Sequence, residues 1–151
     1  MGDLAGAPDV RLGARPEFED LFLGLAGLRE VYGLTDVAFR PVPLGEQYAA
    51  LDRGEVDAAD VFTTDPELAG GDYQVLEDPR KLFGSQNAVL VVDADKLRRI
   101  GREAFLEVVD RVSAQLTRDA VVTMNAAVDG GEDERAVARR FLRDRGLLRG
   151  A

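Results

Sequence analysis

The chain has 151 residues, 46% hydrophobic and 31% charged, with a formal net charge of −9 and neither histidine nor cysteine. That length and apolar content suit one packed core rather than a disordered tail, while the missing residue types exclude disulfides, thiolate nucleophiles, Ser-His-Asp triads and His-ligated zinc. An acidic surface without a basic stripe argues against nucleic acid as a partner.

A first strand is expected at residues 9–14, where Val10 and Leu12 alternate with charged neighbours until Arg15-Pro16 breaks the pattern. Pro16 suits a first helical turn, and Phe18, Leu21, Phe22, Leu25, Leu28 and Tyr32 recur at helical spacing before Gly33. The spacing predicts one amphipathic helix over 18–32. A second strand is read at 36–42, stopped by Pro41 and Pro43, then a short helix at 44–53 with Leu44, Tyr48 and Leu51 on one side and Gly54 at its end. Tyr48 reads as core. Further strands are expected at 56–62, 73–76 and 87–92, the last with an unbroken apolar run from Ala88 to Val92 that implies cover on both faces. Strands alternating with helices predict an α/β architecture.

After Asp93 the strand signal stops. Helices are expected at 105–116, at 118–128 with Thr117 as N-cap, and at 132–145 with acids in the first turn, the last two joined by Asp129-Gly130-Gly131. Residues 1–93 carry 18 acids against 7 bases and residues 94–151 carry 10 against 12, so the division is placed at Asp93, giving an α/β lobe over 1–93 and a helical segment over 94–151. With no apolar run of about 18 residues and no basic-then-apolar opening, neither a membrane span nor a signal peptide is read in this chain. Asp57, Asp60 and Asp65 lack calcium-loop spacing and read as solvated surface, and Gly130-Gly131 lacks the lysine of a phosphate loop. No catalytic residue, metal or cofactor is expected.

Several segments fall in a recognisable order: Pro16-Glu17-Phe18, Gly24-Leu25, Tyr32-Gly33-Leu34, Tyr48-Ala49-Ala50-Leu51, Gly54-Glu55-Val56-Asp57 and Phe62-Thr63-Thr64-Asp65. Val75-Leu76-Glu77-Asp78, Asn87-Ala88-Val89, Leu116-Thr117, Met124-Asn125, Val137-Ala138, Phe141-Leu142 and Gly146-Leu147 continue it. Together they resemble the solute-binding proteins of glycine betaine, carnitine and choline (osmoprotectant) ABC importers, from residue 9 to about 148. The resemblance implies a type II periplasmic-binding-protein-like fold, a two-lobed clamp of which this chain is similar to the C-terminal half: one lobe with a mixed, mostly parallel sheet flanked by helices, and a helical segment returning to the other lobe. The family's N-terminal half has no counterpart here, so the chain reads as an excised part or a natural short relative. An extracytoplasmic location, an ABC permease partner and a quaternary-ammonium or similar solute follow from the resemblance. The alternative keeps the fold and drops the ligand, leaving an assembly or sensory module that docks a protein.

A quaternary ammonium is held by aromatic faces, and a betaine carboxylate by Arg, Lys or backbone N–H donors. The family pattern has Arg, an aromatic and Tyr where this sequence has Leu21, Phe62 and Gln86. Betaine binding by this chain is therefore expected to be weak. The residues expected to line the cleft are Glu17, Phe62, Thr63, Thr64, Gln86 and Asn87. Phe62 is either a cage wall or core, and Thr63 to Asp65 either meet ligand at a strand's C-terminal end or cap a helix. Finally, Phe105, Leu106, Val109, Leu116, Val121, Met124, Val128, Val137 and Phe141 need burial, and a homodimer exchanging the helices after Asp93 is expected to supply it.

Overall fold

The computed structural model describes residues 1–85 and 87–148. It divides into two units, one of Met1–Phe62 with Asp72–Asn87, the other of Thr63–Gly71 with the chain from Ala88 onward. The cut after Asn87 lies near the composition shift, but Thr63–Gly71 clusters with the C-terminal helices, which no sequence boundary marks.

The first unit is a three-stranded sheet in the order β2-β1-β3, with β1 at Arg11–Ala14, β2 at Ala38–Pro41 and β3 at Ala58–Ala59. Both pairings are parallel, Leu12 lying opposite Phe39 on one side and Ala58 on the other. The expected mixed sheet is thus wholly parallel among the described residues. Parallel neighbours require crossovers, supplied here by helices α1 (Leu25–Tyr32) and α2 (Gln47–Asp52). The helices cover opposite faces. Leu12 and Ala14 share a core with Leu25, Leu28 and Tyr32 of α1. Gly13, between them, presents its Cα to the other face, where an added Cβ would stand 3.1 Å from both Val42 and Val56, the residues that pack with Ala50 of α2. Tyr48 is buried, as expected, with its ring edge-on to Tyr73 at 5.1 Å.

The helix expected over 18–32 is broken. Pro16–Glu19 forms a 3-10 turn, and α1 begins only at Leu25 with Gly24 as its N-cap. The break is steric: a Cβ on Gly24 would lie 2.2 Å from the Phe18 carbonyl oxygen, so the chain folds back at the one residue that permits it. Phe18, Leu25, Leu28 and Tyr32 are buried, while Leu21, Phe22 and Leu23 are exposed on the connection.

No strand forms at 73–76 or 87–92. The segment after Tyr73 folds onto α1, because the Asp78 carboxylate accepts the Tyr32 hydroxyl, the Leu82 amide at 3.1 Å and the Phe83 amide at 2.8 Å. That latch buries Leu82 and stacks Phe83 on Phe18 at 6.4 Å. For residues 87–92 the apolar run is genuine and the cover is absent: Val89 and Val91 are 79% and 88% exposed. A strand exists only when a neighbouring ladder takes its backbone groups, and no described strand pairs with this run.

The second unit holds α3 (Ala94–Ile100), α4 (Arg102–Ser113), α5 (Arg118–Asp129) and α6 (Glu134–Asp144), with a 3-10 turn at Pro66–Gly70. Helix α3 was not expected; Asp93 caps it by accepting the Lys96 amide at 2.8 Å. Thr117 caps α5 as the sequence predicts, and Asp133 caps α6 by accepting the Ala136 amide. Among its described large apolar residues only Val137 is fully buried, and Ile100, Val108 and Leu116 are exposed.

Candidate functional site

Strands in a parallel sheet all end on one side, and α/β proteins place ligands outside those carboxyl ends. Here β1, β2 and β3 end at Ala14, Pro41 and Ala59, and three residues beyond each stand Glu17, Leu44 and Phe62. All three are exposed, Leu44 by 62% and Phe62 by 43%. Leu21 to Leu23 occupy the connection from the first of these loops into α1, adding apolar surface at the same edge. The edge therefore combines an aromatic ring, aliphatic groups and a carboxylate, a set suited to an organic cation.

Arg15 is the first residue past β1, on the central strand of this edge. It is half-buried, and its Nε is buried without a hydrogen-bond partner among the described residues. Leaving a buried donor unmet costs about 1–3 kcal/mol, and more on a charged group.

The remaining expected site residues scatter. Thr63 and Thr64 belong to the second unit, where α5 holds their backbone: Arg118 Nε donates to the Thr63 carbonyl at 3.1 Å and Asn125 Nδ2 to the Thr64 carbonyl at 3.0 Å. Asp65 is the N-cap residue of the Pro66–Gly70 turn with Pro66 in its first turn, the position the capping reading gives it, without a side-chain capping bond. A cleft of about 230 Å³ lies beside them, lined by Thr63, Asp65, Leu68, Arg118, Asp119 and Thr123 among others. Asn87 is exposed coil in the first unit, and Gln86 lies outside the described residues.

None of Arg15, Leu44, Arg118 and Asn125 is among the residues that the sequence leads one to expect in the cleft. Leu44 was read as part of a helix face, but Pro43 and Gly45 around it are turn residues, and the helix starts at Gln47. Asp57 is not merely solvated: it accepts the Arg11 amide at 2.9 Å and the Arg11 guanidinium at 2.8 and 2.6 Å, joining β1 to the start of β3. Those hydrogen bonds from Arg11 hold its carboxyl at about 2. Among the described residues no three acids gather as a metal site would require.

Residues 1–144 match the substrate binding domain of ABC-type glycine betaine transport systems. The chain belongs to that family. It is 32% identical over 136 residues to a glycine-betaine-binding protein of Pseudomonas aeruginosa, covering 88% of this chain and 43% of that protein. It is also 24% identical over 132 residues to an ergothioneine transport permease/ergothioneine binding protein of Helicobacter pylori, covering 87% of this chain and 23% of the relative. A crystal structure of a glycine betaine/carnitine/choline ABC transporter superposes with a TM-score of 0.73 at 28% identity, over 97% of this chain and 54% of the other. The chain thus spans about half the length, or less, of the proteins it matches.

Proposed function

We propose that this chain is a ligand-facing part of a solute-binding component that delivers glycine betaine, choline or a related osmoprotectant to an ABC permease. The observation that carries the reading is the common edge of Glu17, Leu44 and Phe62 beyond three parallel strands, in a chain of the glycine betaine family. A trimethylammonium head cannot donate a hydrogen bond, so it is held by ring faces and by diffuse negative potential. Phe62 and Glu17 offer both. The action is capture and release, with no bond made or broken. Delivery to a permease sets the site outside the cytoplasm; among the described residues no helix is long and apolar enough to cross a membrane.

Leu21 and Gln86 at the family's Arg and Tyr positions support weak binding of glycine betaine, with a dissociation constant above about 10 µM. A thermal-shift panel of glycine betaine, choline, carnitine and ergothioneine tests the reading. A ligand of the native state at a hundred times its dissociation constant stabilises by about 2.7 kcal/mol. The reading expects at least one member to raise the melting temperature at millimolar concentration, and a flat panel refutes it.

The helical part, 94–151 in the sequence division, is proposed to return to a companion lobe or to a second copy of the chain. Exposed Ile100, Val108 and Leu116 on α3, α4 and the α4–α5 connection favour such cover. Light scattering is expected to give a homodimer at tens of micromolar, and a stable 16.4 kDa particle contradicts exchange between copies. A ligand-free module that docks a protein draws on the same exposed faces. It predicts a flat solute panel together with association.

A further inference from the structure

We infer that Asp78 is a positioning residue for the solute edge: by latching residues 78–83 to α1 it sets the Pro16–Glu19 turn and, through that turn, the Glu17 carboxylate. The inference rests on the solute-binding reading, in which Glu17 meets the cationic head, and it gives a carboxylate on a distant stretch of the chain a part in binding.

A 3-10 turn has poor hydrogen-bond geometry and little stability of its own. The turn from Pro16 to Glu19 has no side-chain capping bond, and its buried residue is Phe18, 4% exposed. The turn therefore stands where Phe18 is packed. The Phe18 ring stacks on Phe83 at 6.4 Å with 22° between the planes, and it shares a core with Leu25 and Leu28 of α1 and with Leu82. Glu17 precedes Phe18 and is exposed, so its carboxylate takes its place from the backbone that Phe18 anchors.

Phe83 is held in turn by Asp78. The carboxylate accepts the Phe83 amide at 2.8 Å, the Leu82 amide at 3.1 Å and the Tyr32 hydroxyl of α1, so one group both closes the loop and fastens it to the helix. The Arg80 amide donates to the same Tyr32 hydroxyl at 2.9 Å, a second tie. Leu82 sits over Gly27, where an added Cβ would lie 2.7 Å from Leu82 Cδ1, so the loop rests against bare helix backbone. Loss of the Asp78 carboxylate frees the Phe83 amide, then its ring, then the Phe18 side of the turn that carries Glu17.

A double-mutant cycle separates positioning from general support of the fold, because residues that act through one contact are non-additive. Choline affinity is measured by titration calorimetry, well below every melting temperature, on the unsubstituted chain, Asp78→Asn, Glu17→Gln and the double variant, with amide spectra reporting that each is folded. The expected result is a loss of about threefold to thirtyfold for each single variant, and a double variant no weaker than Glu17→Gln alone. Ala50→Gly, which loosens α2 on the opposite face of the sheet, is expected to bind as the unsubstituted chain does. Phe83→Leu keeps an apolar side chain without the stacked ring; it repeats the cycle with the carboxylate in place and carries it alone if Asp78→Asn does not fold. Additive losses, or unchanged affinity in these latch variants, overturn the assignment while leaving solute binding intact. Without solute, the amide resonances of residues 17–19 are expected to shift in the latch variants, and unmoved resonances overturn the assignment whether or not choline binds. Silence of choline and glycine betaine on the unsubstituted chain overturns the solute-binding reading and this use of it together.

Discussion

Replacing Asp78 by Asn tests the latch that closes the first unit. Both carboxylate oxygens act as acceptors, Oδ1 for the Tyr32 hydroxyl and the Leu82 amide, Oδ2 for the Phe83 amide. Asn keeps the shape but must aim its NH2 at one of these donors. At least one charge-assisted bond is lost, worth about 1.5–3 kcal/mol, and a buried donor is left facing another. A loss of about 2–4 kcal/mol follows, which for a unit of roughly 60–100 residues lowers the melting temperature by about 4–8 °C per kcal/mol. The wild-type latch also has a pH signature. Burial pushes the Asp78 carboxyl up, but the Tyr32 hydroxyl and the Phe83, Leu82 and Lys81 amides outweigh it and leave it below its ordinary 3.8. A depressed folded value means the contribution is full above 3.8 and fades as pH falls below it. Burial and the bond to Asp78 raise Tyr32 above 10.0, so its contribution is full below 10.0 and fades as pH rises past the shifted value. Melting curves from pH 2 to 8 should therefore converge for Asp78→Asn and wild type at the acid end and separate above pH 4. Parallel curves, or a loss under about 0.5 kcal/mol at pH 7, would refute the latch.

Gly24→Ala drives a Cβ to 2.2 Å from a backbone carbonyl that no rotamer change can relieve; a loss of about 1–3 kcal/mol is expected in urea unfolding, and a neutral result would mean the turn before α1 is looser than described. Leu25→Ala empties a fully buried position and should cost about 2–5 kcal/mol, checked by the same unfolding curves. NMR titration of Asp57 should place its carboxyl near 2, with its share of stability present above 3.8 and lost as pH falls through that lower value. A midpoint at the ordinary value would mean the Arg11 fork does not persist in solution.

Local signals in the sequence were enough for β1, β2, α2, the α5 cap and the glycine that ends α1. Each depends on residues close in sequence, such as Thr117 accepting the Ala120 amide or Gly33 adopting φ 70° after Tyr32. The broken helix was not legible, because Leu21 and Phe22 continue the apolar period while the clash that stops it involves the carbonyl of Phe18, fixed only once the chain has turned. The apolar run of 87–92 read as a strand because periodicity reports what a segment can do, whereas a ladder needs a neighbour from elsewhere. Phe62 is expected at a strand end and stands three residues past β3, whereas Glu17 enters the expected site only through the family-like Pro16-Glu17-Phe18 segment. The position of Leu44 beside that edge became visible only when the parallel pairing set three strand ends on one side.

The most direct test of the account is to map where a solute touches the chain. Amide chemical shifts of the 151-residue chain, followed while glycine betaine or choline is titrated to several millimolar, should move in the loops after β1, β2 and β3, at residues 15–17, 43–45 and 60–62. Shifts confined to α5 and α6, or no shifts with any solute that stabilises the chain, would contradict a site at the sheet's C-terminal edge.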